Sequence, residues 1–159
     1  MPHLTSPRVR QVQEAMKALG HSIEVKELPD STRTAQEAAQ AVGCQVDQIA
    51  KSIVFRSLQT DRPVLVVTSG SNRVDEKKIG ALLGEAIGQA NADFVRQQTG
   101  YAIGGVAPVG HLEKVVVFID QDLLQYDRIW AAAGTPHAVF QLTPAVLVEV
   151  TGGQVAAVA

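Results

Sequence analysis

Apolar side chains recur at helical spacing near the beginning of the chain and in several later segments. The first run predicts a helix that begins at Pro7, behind the capping residue Ser6, and ends at Gly20; its apolar positions are Val9, Val12, Met16 and Leu19. A capping box at 34–37 predicts a second helix that ends before residue 43. Further helices are predicted at 74–83, at 93–98 and after the Thr-Pro pair at 143–144.

Apolar runs rich in β-branched residues predict strands between these helices. Residues 51–58 and 63–69 are separated by a short polar segment, which favours a hairpin. Further strands are predicted at 22–28, 115–119, 129–133 and 137–142, and the tail 153–158 is a candidate edge strand. Because hairpins are mixed with helices, the order predicts an α+β fold with a mixed, largely antiparallel sheet and packed helices.

Composition narrows the class of protein. The chain has 159 residues, of which 46% are hydrophobic, so we expect one globular domain over residues 1–159. The net charge of −2 argues against a protein that coats long nucleic acid, but it allows a local cluster that grips a nucleic-acid end. Cys44 is the single cysteine, so no disulfide forms within the chain and a cytoplasmic location is expected.

Several common motifs are missing from the sequence. The N-terminal segment Met1–Pro7 has no signal-peptide core, and no apolar stretch approaches the roughly 20 residues of a membrane helix. There is no phosphate-binding G-x-x-x-x-G-K-[ST], no H-E-x-x-H and no G-x-S-x-G. We therefore expect no membrane partner, no metal, and neither kinase nor redox chemistry.

Lys51 opens an apolar strand and shares one face of it with Ile53 and Phe55. Such a lysine either lies exposed at the sheet edge or stands in a cavity, where its ammonium holds a phosphate, a ribose hydroxyl or a carbonyl oxygen. The spacing alone favours the exposed lysine.

Residues 100–111 hold four glycines and a proline in an otherwise apolar loop. A solvated turn would carry more Asn, Asp and Ser, so the composition suits a loop that presents main-chain N–H groups to a ligand. His111, which follows Gly110, either titrates or fixes the end of the loop by a hydrogen bond, and we prefer the second interpretation.

Two further turns are candidates for ligand contact. Ser69 and Gly70 end a strand shortly before a predicted helix, which is either an anion site or an ordinary cap. Gly134 and Thr135 precede Pro136 and His137, so this histidine faces either the mouth of a pocket or solvent.

Three segments together resemble the YbaK/prolyl-tRNA editing-domain family of freestanding aminoacyl-tRNA deacylases. They are the helix start at 34–39, the strand Gln48-Ile49-Ala50-Lys51-Ser52-Ile53-Val54-Phe55 and the segment from Thr99 to His111. The resemblance covers nearly the whole chain and implies a curled, barrel-like sheet of about six or seven strands. It also implies that the protein removes a wrong amino acid from a tRNA, often tRNA(Pro), with no metal or organic cofactor.

The resemblance assigns the site residues. It implies a catalytic role for Lys51 and for the loop Gly104, Gly105, Val106, Ala107 and Pro108, which would orient the ester and stabilise the charge on its carbonyl oxygen. Substrate contacts are expected at Gly110, His111, Ser69, Gly70, Gly134, Thr135 and His137. The expected partners are the tRNA acceptor end and an aminoacyl-tRNA synthetase.

Three functions remain open at this level. The first is a trans-editing hydrolase in which water attacks the ester; its target is serine, threonine, alanine or another small amino acid. The second is a non-catalytic module on the same fold that binds a nucleotide or aminoacyl-adenosine, or docks on a synthetase. The third is a hydrolase of another small ester or amide.

Overall fold

The computed structural model describes residues 6–29 and 31–159. Its helices are α1 (Pro7–Ala18), α2 (Ala35–Val42), α3 (Glu76–Leu83), α4 (Ala92–Thr99) and α5 (Pro144–Thr151). Its strands are β1 (Val25–Glu27), β2 (Ile49–Ser57), β3 (Pro63–Ser69), β4 (Ile87–Gln89), β5 (Val116–Asp120), β6 (Ile129–Ala132), β7 (Ala138–Leu142) and β8 (Gln154–Ala156). Two 3₁₀ helices, Val46–Gln48 and Gln121–Gln125, lie before β2 and after β5.

The helix ends follow signals in the sequence. The hydroxyl of Ser6 accepts a hydrogen bond from the N–H of Arg8, and Pro7 occupies the first turn of α1. Thr34 and Glu37 make both hydrogen bonds of the capping box that begins α2. Each helix from α2 to α5 ends at a glycine with φ between 62° and 85°, a left-handed conformation that glycine adopts without steric cost.

The strands form one mixed sheet in the order β1-β7-β6-β2-β3-β5-β8, with β4 paired to β2 outside this path. Four of the seven pairings are antiparallel: β1 with β7, β6 with β7, β2 with β3, and β2 with β4. The parallel pairings join β2 to β6, β3 to β5 and β5 to β8. The hairpin of β2 and β3 is the centre of the sheet.

The two faces of the sheet carry separate hydrophobic cores, because successive side chains along a strand point to opposite faces. On one face, Leu65 and Val67 of β3 join a large core that includes residues of α1, α4 and α5. On the other face, Val64 and Val66 pack with Ile79 of α3. A third cluster on that second face holds Trp130 of β6 together with two alanines of α2, Ala38 and Ala39.

A gap in the sheet lies along one edge of β2. Strand β6 pairs with this strand only at Ile49 and Ala50, and β4 pairs with it only at 55–57. The opposite edge of β2 is fully paired with β3 over residues 50–56. Residues 51–54 therefore have a neighbouring strand on one side, and no ladder of the described residues covers their other side.

The structure confirms an α+β fold with a mixed, largely antiparallel sheet. It has eight strands instead of the six or seven expected, because β4 was not predicted. The sheet is open, since no pairing among the described residues joins β1 to β8, so the expected barrel-like curl does not extend to closure. Strand β1 is shorter than predicted, whereas the hairpin and the edge strand β8 lie where they were predicted.

In the described part of the chain, no helix combines the length and the apolar character that crossing a membrane requires. The segment Met1–Pro7, in which the sequence shows no signal-peptide core, lies mostly outside the described residues.

Candidate functional site

A cavity of about 420 Å³ opens at the gap in the sheet. All residues of β2 from Ile49 to Phe55 line it, and since neighbouring residues of a strand point to opposite faces, the cavity reaches both faces of the sheet. On the face of the large core it is bounded by Val54, Val95, Val106 and Ala131. On the other face it is bounded by Ala35, Ala38, Ile49, Trp130 and Val139. Most of the wall is therefore apolar.

Lys51 is half-buried in the wall of this cavity. No hydrogen bond or ion pair engages its ammonium within residues 6–29 and 31–159. Two arginines also line the cavity, Arg33 before α2 and Arg73 before α3, and among the described residues Glu76 is the one acidic residue in the lining. An excess of positive charge and an unpaired ammonium suit a ligand that carries phosphate or carbonyl oxygens.

The glycine-rich loop reaches the same cavity through Ile103, Gly104 and Val106. The N–H of Gly105 donates to the carbonyl of Ala102 at 3.0 Å, so it is used within the loop. The N–H groups of Gly104, Val106 and Ala107 have no hydrogen-bond partner among the described residues. Gly105, Ala107 and Pro108 are buried and do not belong to the lining.

Close contacts fix the loop on both sides. A Cβ on Gly105 would lie 2.7–3.0 Å from the main chain of Thr135, so the loop rests directly on the turn between β6 and β7. Gly104 has φ of +94°, and a Cβ there would lie 2.7 Å from the side chain of Arg33. Both positions leave no room for a side chain, and this explains two of the loop's glycines.

His111 holds the far end of the loop. Its Nε2 lies 2.8 Å from the carbonyl oxygen of Ala107, and its ring meets the buried ring of Tyr101 edge-to-face at 6.0 Å. Burial lowers the pKa of His111, and this effect outweighs the Ala107 carbonyl, which raises it. The histidine is therefore neutral near pH 7 and donates from Nε2, in agreement with the structural alternative weighed from the sequence.

Gly110 is tied to α1 and not to the cavity lining. Its carbonyl accepts from the amide of Gln11, which also donates to the carbonyl of Thr99 at 3.2 Å. The hydroxyl of Tyr101 donates to the neighbouring carbonyl of Val109 at 2.7 Å. Burial raises the pKa of this tyrosine, so it remains a donor at all ordinary pH values.

Ser69 and Gly70 lie outside the cavity lining, at the end of β3. The carboxylate of the buried Asp120 accepts hydrogen bonds from the N–H of Ser69, the hydroxyl of Thr68 and the amide of Asn72 at 2.8–3.0 Å. The hydroxyl of Ser69 donates to a main-chain carbonyl of the 3₁₀ helix that precedes β2. These groups are all paired within the protein.

The turn Gly134 to His137 supports the cavity from outside. Thr32 donates to the carbonyl of Pro136 from both its N–H and its hydroxyl, and the N–H of Leu28 donates to the carbonyl of His137 at 2.8 Å. These bonds fix the segment that leads to Arg33. The side chain of His137 is exposed, and Thr135 contacts Gly105.

Of the thirteen residues predicted for the site, the structure brings three into one cavity lining: Lys51, Gly104 and Val106. Sequence reasoning missed Arg33, Arg73, Trp130 and Ser52 as lining residues. Ser52 lies within the strand motif at 48–55 but is not among the thirteen predicted residues. Within residues 6–29 and 31–159, no group of three His, Cys, Asp or Glu side chains is placed to hold a metal ion.

Comparison with known proteins identifies the class of domain. The model of the aminoacyl-tRNA editing domain matches residues 29–150. An uncharacterised protein of Bacillus subtilis, YwhH, is 32% identical over 126 residues, which cover 79% of this chain and 80% of that protein. A candidate Cys-tRNA(Pro)/Cys-tRNA(Cys) deacylase of Enterococcus faecalis, EbsC, is 24% identical over 159 residues and covers 96% of each chain. The crystal structure of a candidate trans-editing enzyme for prolyl tRNA synthetase shares 49% identity, with a TM-score of 0.90 over 96% of this chain and 97% of that chain.

Proposed function

Because this chain belongs to the aminoacyl-tRNA editing domain family and is an aminoacyl-tRNA deacylase, we propose that it removes a small wrong amino acid from tRNA(Pro) or a related tRNA. The tRNA preference is drawn from the relatives, since one is described for Cys-tRNA(Pro) and another for prolyl tRNA synthetase. A small target is likewise drawn from the relative described for Cys-tRNA(Pro), since cysteine is a small amino acid. The proposed partners are the tRNA acceptor end and a synthetase, and this substrate places the reaction in the cytoplasm.

The observation that carries the proposal is the shared cavity of Lys51 and the loop at Gly104–Val106. The ammonium, aided by Arg33 and Arg73, holds the terminal phosphate or ribose of the tRNA. Free N–H groups of the loop face the acyl carbon's carbonyl oxygen, where negative charge develops in the transition state. This division of work needs no protein nucleophile, because an aminoacyl ester is already activated.

The reaction is an ester hydrolysis. The oxygen of a water molecule forms a bond to the acyl carbon, and the carbonyl oxygen takes up the negative charge of the tetrahedral intermediate. The bond between that carbon and the ribose oxygen then breaks, and the leaving oxygen receives a proton that the water has released, with the neighbouring ribose hydroxyl as relay. The products are the free amino acid and a tRNA with a free terminal hydroxyl.

A panel of mischarged tRNAs tests the proposal. We expect hydrolysis of at least one small aminoacyl ester on tRNA(Pro). For Lys51→Ala we expect a decrease of about 10²- to 10³-fold in kcat/KM, because an ester that is no longer held in place loses the stabilisation of its carbonyl charge by the loop. The matched control is Lys114→Ala, which removes an exposed lysine outside the cavity lining and leaves kcat/KM unchanged.

The outcomes separate the open functions. Wild-type activity in Lys51→Ala would remove Lys51 from the mechanism. Hydrolysis of free esters that competing tRNA does not inhibit would point to a different esterase. Tight binding of aminoacyl-tRNA without turnover would support the non-catalytic module.

A further inference from the structure

Ser52 lies at the middle of the gap in the sheet. Strand β6 ends its pairing with β2 two residues before Ser52, and β4 begins its pairing three residues after it. Ser52 also lines the cavity that contains Lys51 and Gly104. One edge of Ser52 thus faces the space where a neighbouring strand would normally pair with it.

The direction of these groups follows from the β2–β3 hairpin. The N–H of Ser57 donates to the carbonyl of Arg62 at 2.9 Å, so Ser57 is a residue that bonds toward β3. In an antiparallel pair this property alternates along the strand, so Lys51 and Ile53 also bond toward β3. The N–H and C=O of Ser52 point to the opposite edge, into the gap.

The side chain of Ser52 adds a third unpaired polar group. Its Oγ is buried and has no hydrogen-bond partner among the described residues. Buried hydroxyls are almost always paired, because an unpaired one loses the hydrogen bonds that water would give it. Among the described residues, the N–H, the carbonyl and the hydroxyl of Ser52 therefore all lack hydrogen-bond partners, and the residue lines the cavity.

We propose that Ser52 binds the aminoacyl group through its main chain, as a strand edge binds one residue of an added strand. The carbonyl of Ser52 accepts a hydrogen bond from the α-amino group, and its N–H donates to the acyl carbonyl oxygen. This proposal rests on the proposed deacylase function and assigns the same cavity a second contact to the reacting carbonyl.

The chemistry of an amino acid fits this edge. An extended aminoacyl group presents an amino donor and a carbonyl acceptor with the spacing of a strand residue, which is the basis of strand addition to open edges. The acyl oxygen then lies between the N–H of Ser52 and the N–H groups of the loop at Gly104–Val106. N–H groups from two separate segments then stabilise the negative charge that develops on the acyl oxygen. The protein recognises the amino acid through its amino and carbonyl groups, which every α-amino acid possesses.

Amide hydrogen exchange, measured by NMR on the whole chain, tests the contact directly. The probe is adenosine carrying alanine in amide linkage at its 3′ position, which cannot be deacylated, and the control is 3′-amino-3′-deoxyadenosine. We expect the aminoacyl probe to slow exchange at Ser52 at least about tenfold, and the nucleoside alone to leave it unchanged. Lys51 and Ile53 are protected already by β3 and should not respond.

Proline substitutions provide a second test, because proline removes an N–H. Ser52→Pro removes one that makes no ladder bond, so the variant should fold, with a circular dichroism spectrum like that of the wild type. Its kcat/KM should be at least tenfold below that of Ser52→Ala, which keeps the N–H. Ile53→Pro is the matched control: it removes a bond to β3 and should unfold the protein.

Failure of the Ser52 contact can be distinguished from failure of the deacylase function. If the probe binds and mischarged tRNA is hydrolysed, but exchange at Ser52 is unchanged or responds equally to the nucleoside alone, the contact is wrong and the deacylase remains. If Ser52→Pro is folded and as active as Ser52→Ala, the donor role is wrong. If the probe does not bind and no mischarged tRNA is hydrolysed, both proposals fall.

Discussion

At the scale of single residues, the site depends on two neighbours that point in opposite directions. Lys51 and Ser52 are consecutive, so their side chains lie on opposite faces of β2, yet both line one cavity because the sheet is interrupted beside them. In an uninterrupted sheet, the side chains of Lys51 and Ser52 would lie on opposite faces and could not line the same cavity. The missing strand contact is therefore what lets one short segment supply both charge and main-chain hydrogen bonds.

His111 makes the stability of the protein depend on pH. Its pKa is lowered in the folded state by burial, so the unfolded chain takes up a proton first as pH falls below about 6.5. Above about pH 6.5 the neutral His111 costs the folded state nothing. As the pH falls from there toward the pKa of the folded state, the free energy of unfolding decreases, in total by about 1.4 kcal/mol for each unit by which burial lowers the pKa. Urea unfolding between pH 7.5 and 5 measures this loss.

His111→Gln is the variant that isolates the effect. Glutamine keeps a donor for the carbonyl of Ala107 but does not titrate, so the variant should lose less stability than the wild type over the same pH range. Only the pH dependence is compared, which removes any constant cost of the substitution. An NMR titration that placed the pKa of His111 at or above 6.5 would contradict the argument.

At the scale of elements, the loop and the β6–β7 turn form one unit. Gly105 contacts the main chain of Thr135, and no side chain fits between them. Gly105→Ala should push the loop off the turn, lowering kcat/KM about 10- to 100-fold through misplacement of the loop's N–H groups, and lowering stability by about 1–3 kcal/mol.

A second glycine controls for lost stability. Gly20 follows α1 with φ of +91° and has open space around its Cβ position. Gly20→Ala should lower the free energy of unfolding by about 1–3 kcal/mol through backbone strain while leaving kcat/KM unchanged. Both variants are assayed at a temperature where they are folded. If Gly105→Ala is then as active as Gly20→Ala, the position of the loop does not affect catalysis.

Most elements could be predicted because their signals are local. The five helices carry caps and apolar spacing, and the hairpin carries two apolar runs around a polar turn. Strand β4 was missed because it has three residues with Gly88 in the middle, too few for a period to show. The gap could not be predicted at all, since it depends on where β4 and β6 stop pairing with β2. Arg33 was missed for a similar reason: it lies in an irregular segment that only tertiary hydrogen bonds bring to the cavity.

For the whole molecule, the net charge and the charge of the cavity lining have opposite signs. The chain has 14 Lys and Arg against 16 Asp and Glu, a net charge of −2. Among the described residues, the cavity lining reverses this balance, with Arg33, Lys51 and Arg73 against Glu76. The slightly negative net charge argues against binding of long nucleic acid, so we expect the attraction of tRNA to be confined to the cavity.

This confinement predicts a shallow dependence of tRNA binding on salt. For a single-stranded end, the logarithm of the binding constant falls with the logarithm of salt concentration by about 0.7 for each phosphate contacted. Three cations then give a slope near −2, to be measured as Kd for tRNA between 50 and 200 mM salt. Arg73→Ala should reduce the slope by about 0.7, whereas Lys114→Ala should not change it. A slope of −5 or steeper would mean that the protein grips the helical stem well beyond the cavity, and a flat response would remove the cations from tRNA binding. Only the intermediate value agrees with a protein that holds the terminal nucleotides through a positive cavity on an otherwise acidic molecule.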